Sequence, residues 1–506
     1  MTSALSIGIS SLNADRTAID ATSENVSNAQ TPGYVRESAQ MSALPGGGLQ
    51  GVGDGVEVTT VAQATSALLS ANNWQAQGAL SRLGSLQQTL SAVENVFPLA
   101  TQPGAASATG TSATSGASLA GQMATFWSSW DAIAQNPSAL VPRTQVVKEA
   151  QSLVVGLHEA ATQLSQITNN VGTQLTDQVV QVDALLGQAA SLNQSIVTTK
   201  GAMGNPNQLV DQLNQVIGTL SQLAGVAVRT QPDGAVTIAI GGVTVVQGDT
   251  VTALKLVPPS ATTHAYAVTT ASGIPVGVES GSIAGLLSAA NQYIPKYVDQ
   301  LDAVAGSLAT AVNDQLAKGY TATWAPTGKT SGAAHPLFVG STATGIAVSP
   351  TVVADPALIA ASAQKPPAPT TPPPTPPAPN PAANTGANAQ AMAELSTRQT
   401  FPGTTPTHPT VPLVKTPTTP AKAMMMPGAR YQTLVQGMGA DTQGVDSQLA
   451  SQTSVAAQAQ QALQSVSGVN LDQELTNLLG YQQNYEASAK LLATVDATVQ
   501  SLLQAV

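Results

Sequence analysis

Positions 5, 9, 12, 16, 19, 23 and 26 advance by alternating steps of four and three, the spacing of a heptad seam. Leu5, Ile9, Leu12, Ile19 and Val26 fill it, and Arg16 and Ser23 interrupt it. The stripe is thin, and a helix built on it needs a partner. It ends in "VSNAQTPGYVR" (26–36), where Pro32 has no N–H and disfavours helical geometry at Thr31, Gly33 accepts positive φ, and Asn28 suits a turn. The far end of the chain mirrors this start. Leu471, Leu475, Leu478, Gln482, Tyr485, Ala489, Leu492, Val495, Val499, Leu502 and Val506 form a second seam with one compression between Ala489 and Val495. Asn470 is its expected N-cap, with Asp472 and Glu474 favourably placed in the first turn.

Between the two seams the period changes several times. The Gly-rich stretch after the break gives way to Val56, Val58 and Val61, which predicts a loop and a short extended or hairpin element. Helix is expected from about 62 to 97, then a flexible surface loop over 101–116, then a helix holding "LAGQMATFWSSWDAIAQ". The most regular stretch begins at Pro142 and runs through Val146, Ala150, Leu153, Leu157, Ala160, Leu164, Ile167 and Val171. It resumes at Leu175, Val179, Val182 and Leu186 after a four-residue slip. One more amphipathic helix covers 205–226. The period then becomes two, with Pro232-Asp233-Gly234 and Gly241-Gly242 as turns of a hairpin or meander, and helical spacing returns from Ser282 to about Leu316. Ten prolines between 366 and 381 predict a polyproline II spacer of roughly 50 Å. A second Pro/Thr-rich stretch, 402–427, reads as irregular.

These patterns predict a mainly α fold with a β-rich insert (α+β): terminal helices forming a coiled-coil or helical-bundle core, long internal helices, and a small β domain projecting outward. The expected division is 1–40 with 468–506 as a terminal helical domain, 41–204 with 281–467 as a helical and irregular middle domain containing the Pro-rich loop 365–382, and 205–280 as a helix plus β-rich outer domain.

Composition sharpens this reading. The 506 residues are 42% hydrophobic, but aromatics make up 3% and charged residues 9%, against about 25% charged in an average domain. The apolar share therefore rests on Ala, Val and Leu, which favours long helices meeting in narrow seams. A net charge of -10 with 17 Lys and Arg and no basic stripe argues against a nucleic-acid partner. With no cysteine there is no disulfide, thiolate ligand or thiol nucleophile. The first residues, MTSALSIGISSL, have neither a cationic n-region nor a continuous apolar core, so no cleaved signal is expected, and no apolar run is long enough for membrane insertion.

Catalytic chemistry has no foothold in these residues. His158, His264, His335 and His408 are far apart and fit no metal-ligand spacing, and no phosphate-binding or nucleophile-elbow motif is present. No catalytic, cofactor-binding or metal residue is expected, and no cofactor. A binding module working through the Pro/Thr-rich stretches stays open as an alternative.

Taken together, "ENVSNAQTPGYVR" (24–36) resembles the N-terminal signature of bacterial flagellar axial proteins, carried here by Asn28, Thr31, Pro32, Gly33 and Tyr34. The C-terminal stretch 467–503 resembles the other end of those proteins, through Gly468-Val469-Asn470-Leu471-Asp472, Gln482-Gln483-Asn484-Tyr485, Ala487, Ala489 and Asp496. Four internal segments in order, beginning "FWSSWDAIAQNPSALVPRTQ", "NQLVDQLNQVIGTL", "LDAVAGSLATAVNDQ" and "GIAVSPTVVADPAL", resemble the hook-associated protein 1 family. Leu213 stands where that family usually has an arginine, and the Pro-rich insert has no counterpart there. The resemblance implies a non-catalytic structural protein of the extracellular flagellum, joining hook to filament as a ring and needed for filament assembly. It implies hook protein, hook-associated protein 3, other copies of the chain, a flagellar export chaperone and the type III export apparatus as partners. It also casts Leu5, Ile9, Leu12, Ile19 and Val26 as an N-terminal assembly seam. Leu471, Leu475, Leu478, Tyr485, Ala489, Leu492, Val495, Val499 and Leu502 become the C-terminal assembly and chaperone seam.

Overall fold

The computed structural model describes residues 2–45, 53, 55–97, 118–202, 204–260, 264–321, 335–363, 385–397, 400–401 and 424–505. In chain order the elements are α1 (Thr2–Asn28), β1 (Glu37–Leu44), β2 (Gly55–Gln63), α2 (Ala67–Glu94), α3 (Leu119–Gln135), α4 (Leu140–Gly201) and α5 (Asn207–Ala224). Six strands follow: β3 (Ala227–Thr230), β4 (Val236–Ile240), β5 (Val243–Gln247), β6 (Thr250–Val251), β7 (Leu254–Val257) and β8 (Ala267–Thr270). Then come α6 (Gly281–Ser288), α7 (Ile294–Leu316), β9 (Phe338–Val339), β10 (Ala347–Val348), α8 (Pro350–Ala354), α9 (Ala387–Ala393), β11 (Thr400–Phe401), β12 (Met424–Met425), α10 (Pro427–Ser467) and α11 (Leu471–Ala505). The expected mainly α fold with one β-rich insert is the fold observed.

The chain packs as two compact units, one of residues 1–86, 174–287 and 447–506, the other of 87–173 and 288–446. This division follows packing, whereas the three-part division above follows role. In the first unit α1 carries both the hairpin β1–β2 and α11. The insert forms a four-stranded antiparallel sheet, β3-β4-β5-β6, and a separate pair, β7-β8. Asn193 of α4 fastens the sheet. Its amide donates to the carbonyls of Val236 (2.8 Å) and Gly248 (2.9 Å), and its oxygen accepts from Val236 N (2.9 Å). Asp183 similarly accepts from Leu254 N at 2.8 Å. A buried asparagine with its donors and acceptor engaged costs little and fixes one arrangement.

The second unit is built around large side chains. Phe126 of α3 lies edge-on to Trp127 and Trp130, with centroids 5.0 and 6.1 Å away, and 5.8 Å from Phe338. Phe126, Trp130 and Ile133 are fully buried, as are Val146, Ala150, Leu153, Leu157 and Leu164 on the predicted stripe of α4. Arg143, also buried, donates to the carbonyls of Pro137 (2.8 Å), Ala357 (3.3 Å) and Ile359. Burial holds its guanidinium below its ordinary pKa. Asn313 of α7 ties down β9, accepting from Leu337 and Phe338 and donating to the Phe338 carbonyl.

Several expectations need correction. Residues 62 and 63 complete β2, and the helix expected from 62 starts at Ala67. The 402–427 stretch is not irregular to its end, because Met424–Met425 pairs with β11 and Pro427 opens α10, at a position that has no N–H bond to lose. The helical pattern from Ser282 is interrupted by a π turn, Ala289–Tyr293, just before Pro295, whose missing N–H breaks the regular ladder. The slip after Val171 leaves α4 unbroken over 62 residues. The expected loop at 101–116 and the polyproline spacer lie outside the described residues.

Candidate assembly interface at the chain termini

The break after α1 is a tight turn: Thr31 N donates to Asn28 O (2.9 Å) and Tyr34 N to Thr31 O (3.2 Å). Gly33 has φ +82°, and a Cβ there would meet the side chain of Gln215, so both conformation and space demand glycine. Gln215 in turn donates to the Pro32 carbonyl at 2.8 Å, which seats the turn on α5. Gln63 and Asn207 reinforce the seat, Gln63 donating to Asp211 (2.9 Å) and Asn207 to the Val61 carbonyl (2.9 Å).

A buried polar knot joins this elbow to α11. Asn25 uses every hydrogen-bonding position of its amide: it donates to Glu37 O (2.8 Å) and Glu474 Oε2 (3.1 Å) and accepts from Glu37 N (2.8 Å) and Tyr34 OH (2.9 Å). Arg36 Nε meets Glu474 Oε1 at 2.7 Å. Asn25 is 0% and Glu474 1% exposed. Asn470 caps α11 as expected, accepting from Asp472 N (3.1 Å) and Gln473 N (3.3 Å).

Carboxylates crowd the elbow. Burial, opposed by donation from Gln63 and Val35 and assisted by Glu37 and Glu24, pushes Asp211 up to about 6. Burial also raises Glu37, and burial followed by the surrounding carboxylates raises Tyr34. Leu213 is buried and apolar two residues beyond Asp211, which is met by neutral donors.

The helices are antiparallel, because Asn25 meets Glu474 while a Cβ on Gly8 would touch Leu492. The buried stripe of α1 is Gly8, Asp15, Ala18, Thr22 and Asn25, joined by Ala14 and Ala21. That is the expected seam moved back by one residue, a rotation of about 100°. The aliphatic seam itself lies at the edge or outside, with Leu5 41% and Ile9 46% exposed and Leu12, Ile19 and Val26 half-buried. On α11, Leu478, Leu492 and Val495 are half-buried, while Leu471, Leu475, Tyr485, Ala489 and Val499 are exposed. Leu479 and Leu491, outside the expected seam, are exposed as well. The side chain of Leu502 lies outside the described residues. In the turn motif Asn28 and Tyr34 are half-buried, and Thr31, Pro32 and Gly33 are exposed.

Sequence reading missed Asn25, Arg36, Glu37, Asp211 and Glu474 as members of one network. The local signal was faint: Asn25 is a polar residue in step with the alanine stripe, and Glu474 was placed in a first turn for its charge alone. Among the described residues no group of acidic and histidine side chains could hold a metal, and no helix is long and apolar enough to cross a membrane.

Comparison with known proteins agrees with this geometry. A family model described as the flagellar hook-associated protein FlgK helical domain matches residues 109–363. Models for the flagellar basal body rod protein and the C-terminal part of FlgEFG rod proteins match 5–34 and 459–505, the two paired ends. Flagellar hook-associated protein 1 of Escherichia coli is 27% identical over 99% of this chain and 100% of its own length. That of Salmonella typhimurium is 29% identical over 64% of this chain and 58% of its own. The solved flagellar hook junction protein FlgK from Burkholderia pseudomallei shares the fold at a TM-score of 0.58 and 18% identity, covering 78% of this chain and all of that one. These relatives are structural flagellar proteins, and the chain belongs to the flagellar hook-associated protein FlgK family.

Proposed function

We propose that this chain is a non-catalytic structural subunit of the junction between flagellar hook and filament, built into a ring of its own copies and required for filament assembly. The observation that carries this reading is the set of large aliphatic side chains left outside on the paired ends: Leu5 and Ile9 on α1, and Leu471, Leu475 and Leu479 along one face of α11. Burying a leucine contributes about 1.5–3 kcal/mol, so such a set supplies a substantial drive once neighbouring copies cover it. Exposed patches of this kind mark interaction surfaces.

In this reading hook protein lies on one side of the ring and hook-associated protein 3 on the other. Before assembly a flagellar export chaperone covers the exposed face of α11. The chain then leaves by the type III export apparatus to the extracellular flagellum. In the same picture residues 1–40 and 468–506 lie inside and the strands of the 205–280 part outermost, with α5 held at the elbow. The Thr31–Tyr34 turn is the elbow that ends the inner helix and sends the chain outward.

Deletion of residues 471–506 tests the reading. Filament assembly on existing hooks is expected to be lost, while thermal unfolding of the second unit in the purified protein keeps its midpoint. Normal swimming by cells carrying only the truncated chain would overturn it.

A further inference from the structure

The paired ends raise a question of register. Moving from Asn25 to Gly8 is seventeen residues back along α1, and moving from Glu474 to Leu492 is eighteen forward along α11. Between those points α1 turns in mainly small residues, Ala14, Ala18 and Ala21, and such a stripe looks much the same after a slip of one heptad. Apolar packing alone therefore chooses poorly among registers.

The polar knot does discriminate. A slip of one heptad one way sets Glu474 opposite Ala18 and leaves a buried carboxylate without Arg36, and a slip the other way sets Asn25 opposite Tyr481; either takes Glu474 from the Asn25 amide. A buried charge deprived of its partners is heavily penalised. Asn25 has no spare capacity to re-pair, because two of its four bonds already hold the backbone of Glu37. We infer that Asn25, Arg36 and Glu474 are positioning residues that set the register of α11 on α1, and so decide how far along α1 its outward-facing leucines sit. The inference deepens the junction reading, since the outward row is the surface that reading assigns to assembly.

One competing restraint is on hand, the backbone bond from Arg36 N to Ser467 O (3.0 Å) that tethers the segment entering α11. An experiment on the purified full chain separates the two. The protein has no cysteine, so Gly8→Cys can be paired in turn with Leu492→Cys, Tyr485→Cys or Val499→Cys, with Leu492→Ala added to the last two to make room beside position 8. Initial disulfide rates then read the native register and the two registers one heptad away.

The 492 pair is expected to dominate in the parent. In the Asn25→Leu, Glu474→Leu background its preference over the 485 and 499 pairs is expected to fall about tenfold. Glu474→Gln, which keeps the shape, is expected to give an intermediate loss, and Arg36→Glu with Glu474→Arg a partial recovery. An unchanged 492 preference overturns the inference in favour of the tether. An equal fall of all three rates also overturns it, because a merely structural role predicts that result. Neither outcome touches the junction reading, which stands or falls on assembly by the truncated chain.

Discussion

The helix pair at the chain ends and the interior around Trp130 both come from heptad-like sequence, yet they are finished in opposite ways. Around Trp130 the large side chains point inward, and one buried polar group of this unit, Arg143, donates to three carbonyls of its own chain. At the ends the inward side of α1 is alanine, glycine and a polar knot, and Leu5, Ile9, Leu471, Leu475 and Leu479 point out. The first region completes itself within one chain. The second buries just enough to hold two helices together and keeps its larger apolar surface for something else.

Substitution in the two regions should therefore produce very different effects. Trp130→Ala removes the largest fully buried side chain among the described residues, and a cost of about 3–5 kcal/mol is expected in denaturant unfolding of the second unit. A cost below about 1 kcal/mol would mean that this interior is far looser than its ring contacts indicate.

Next in size is the small-residue stripe. Ala18 is 1% exposed, so Ala18→Leu adds bulk where the neighbours leave no room, at about 1–3 kcal/mol. Faster amide exchange along α1 would register it. If leucine were tolerated there, the stripe would not be in close contact and the comparison would weaken.

How much of this was legible in the sequence differs between the two regions for the same reason. Heptad spacing from Pro142 to Leu186 found the buried face of α4 because large residues carry the signal. At α1 the same rule selected Leu5, Ile9 and Ile19, since it weighs side-chain area, and overlooked a stripe one residue away whose value is close approach. Period two with Gly and Pro turns gave the insert, and Pro32-Gly33 gave the elbow. α10 was missed although Tyr431, Leu434, Met438 and Val445 make a buried stripe in its first half, because that stripe is short and a Gln-, Ser- and Ala-rich second half follows it. The bond between Asn25 and Glu474 spans 449 positions, beyond the reach of any local pattern.

A smaller effect belongs to pH. Asp211 is raised from 3.8 to about 6, so the folded state holds its proton where the unfolded chain has released it. The resulting stability is fully present below about pH 4 and is lost as pH rises through 6. Lowering pH from 7 to 5 should thus strengthen the first unit by about 1 kcal/mol through this group. Asp211→Asn should flatten that part of the profile and gain stability at pH 7, while Glu37, raised in the same sense, keeps some slope. Urea midpoints at the two pH values decide it, and an unchanged slope would place the carboxyl in water.

The smallest expected effect on stability separates the two regions best. Leu475 is 48% and Leu479 59% exposed, so Leu475→Ala with Leu479→Ala should move the unfolding free energy of the isolated chain by less than about 0.5 kcal/mol. The same pair of changes removes two of the residues that neighbouring copies are proposed to cover, and filament growth should fail in cells whose purified variant is indistinguishable in folding. Loss of stability in the isolated chain would show that these leucines already have partners within it. Full stability with normal filaments would return the outward row to ordinary solvent-facing surface, and the ends would then differ from the Trp130 interior only in size.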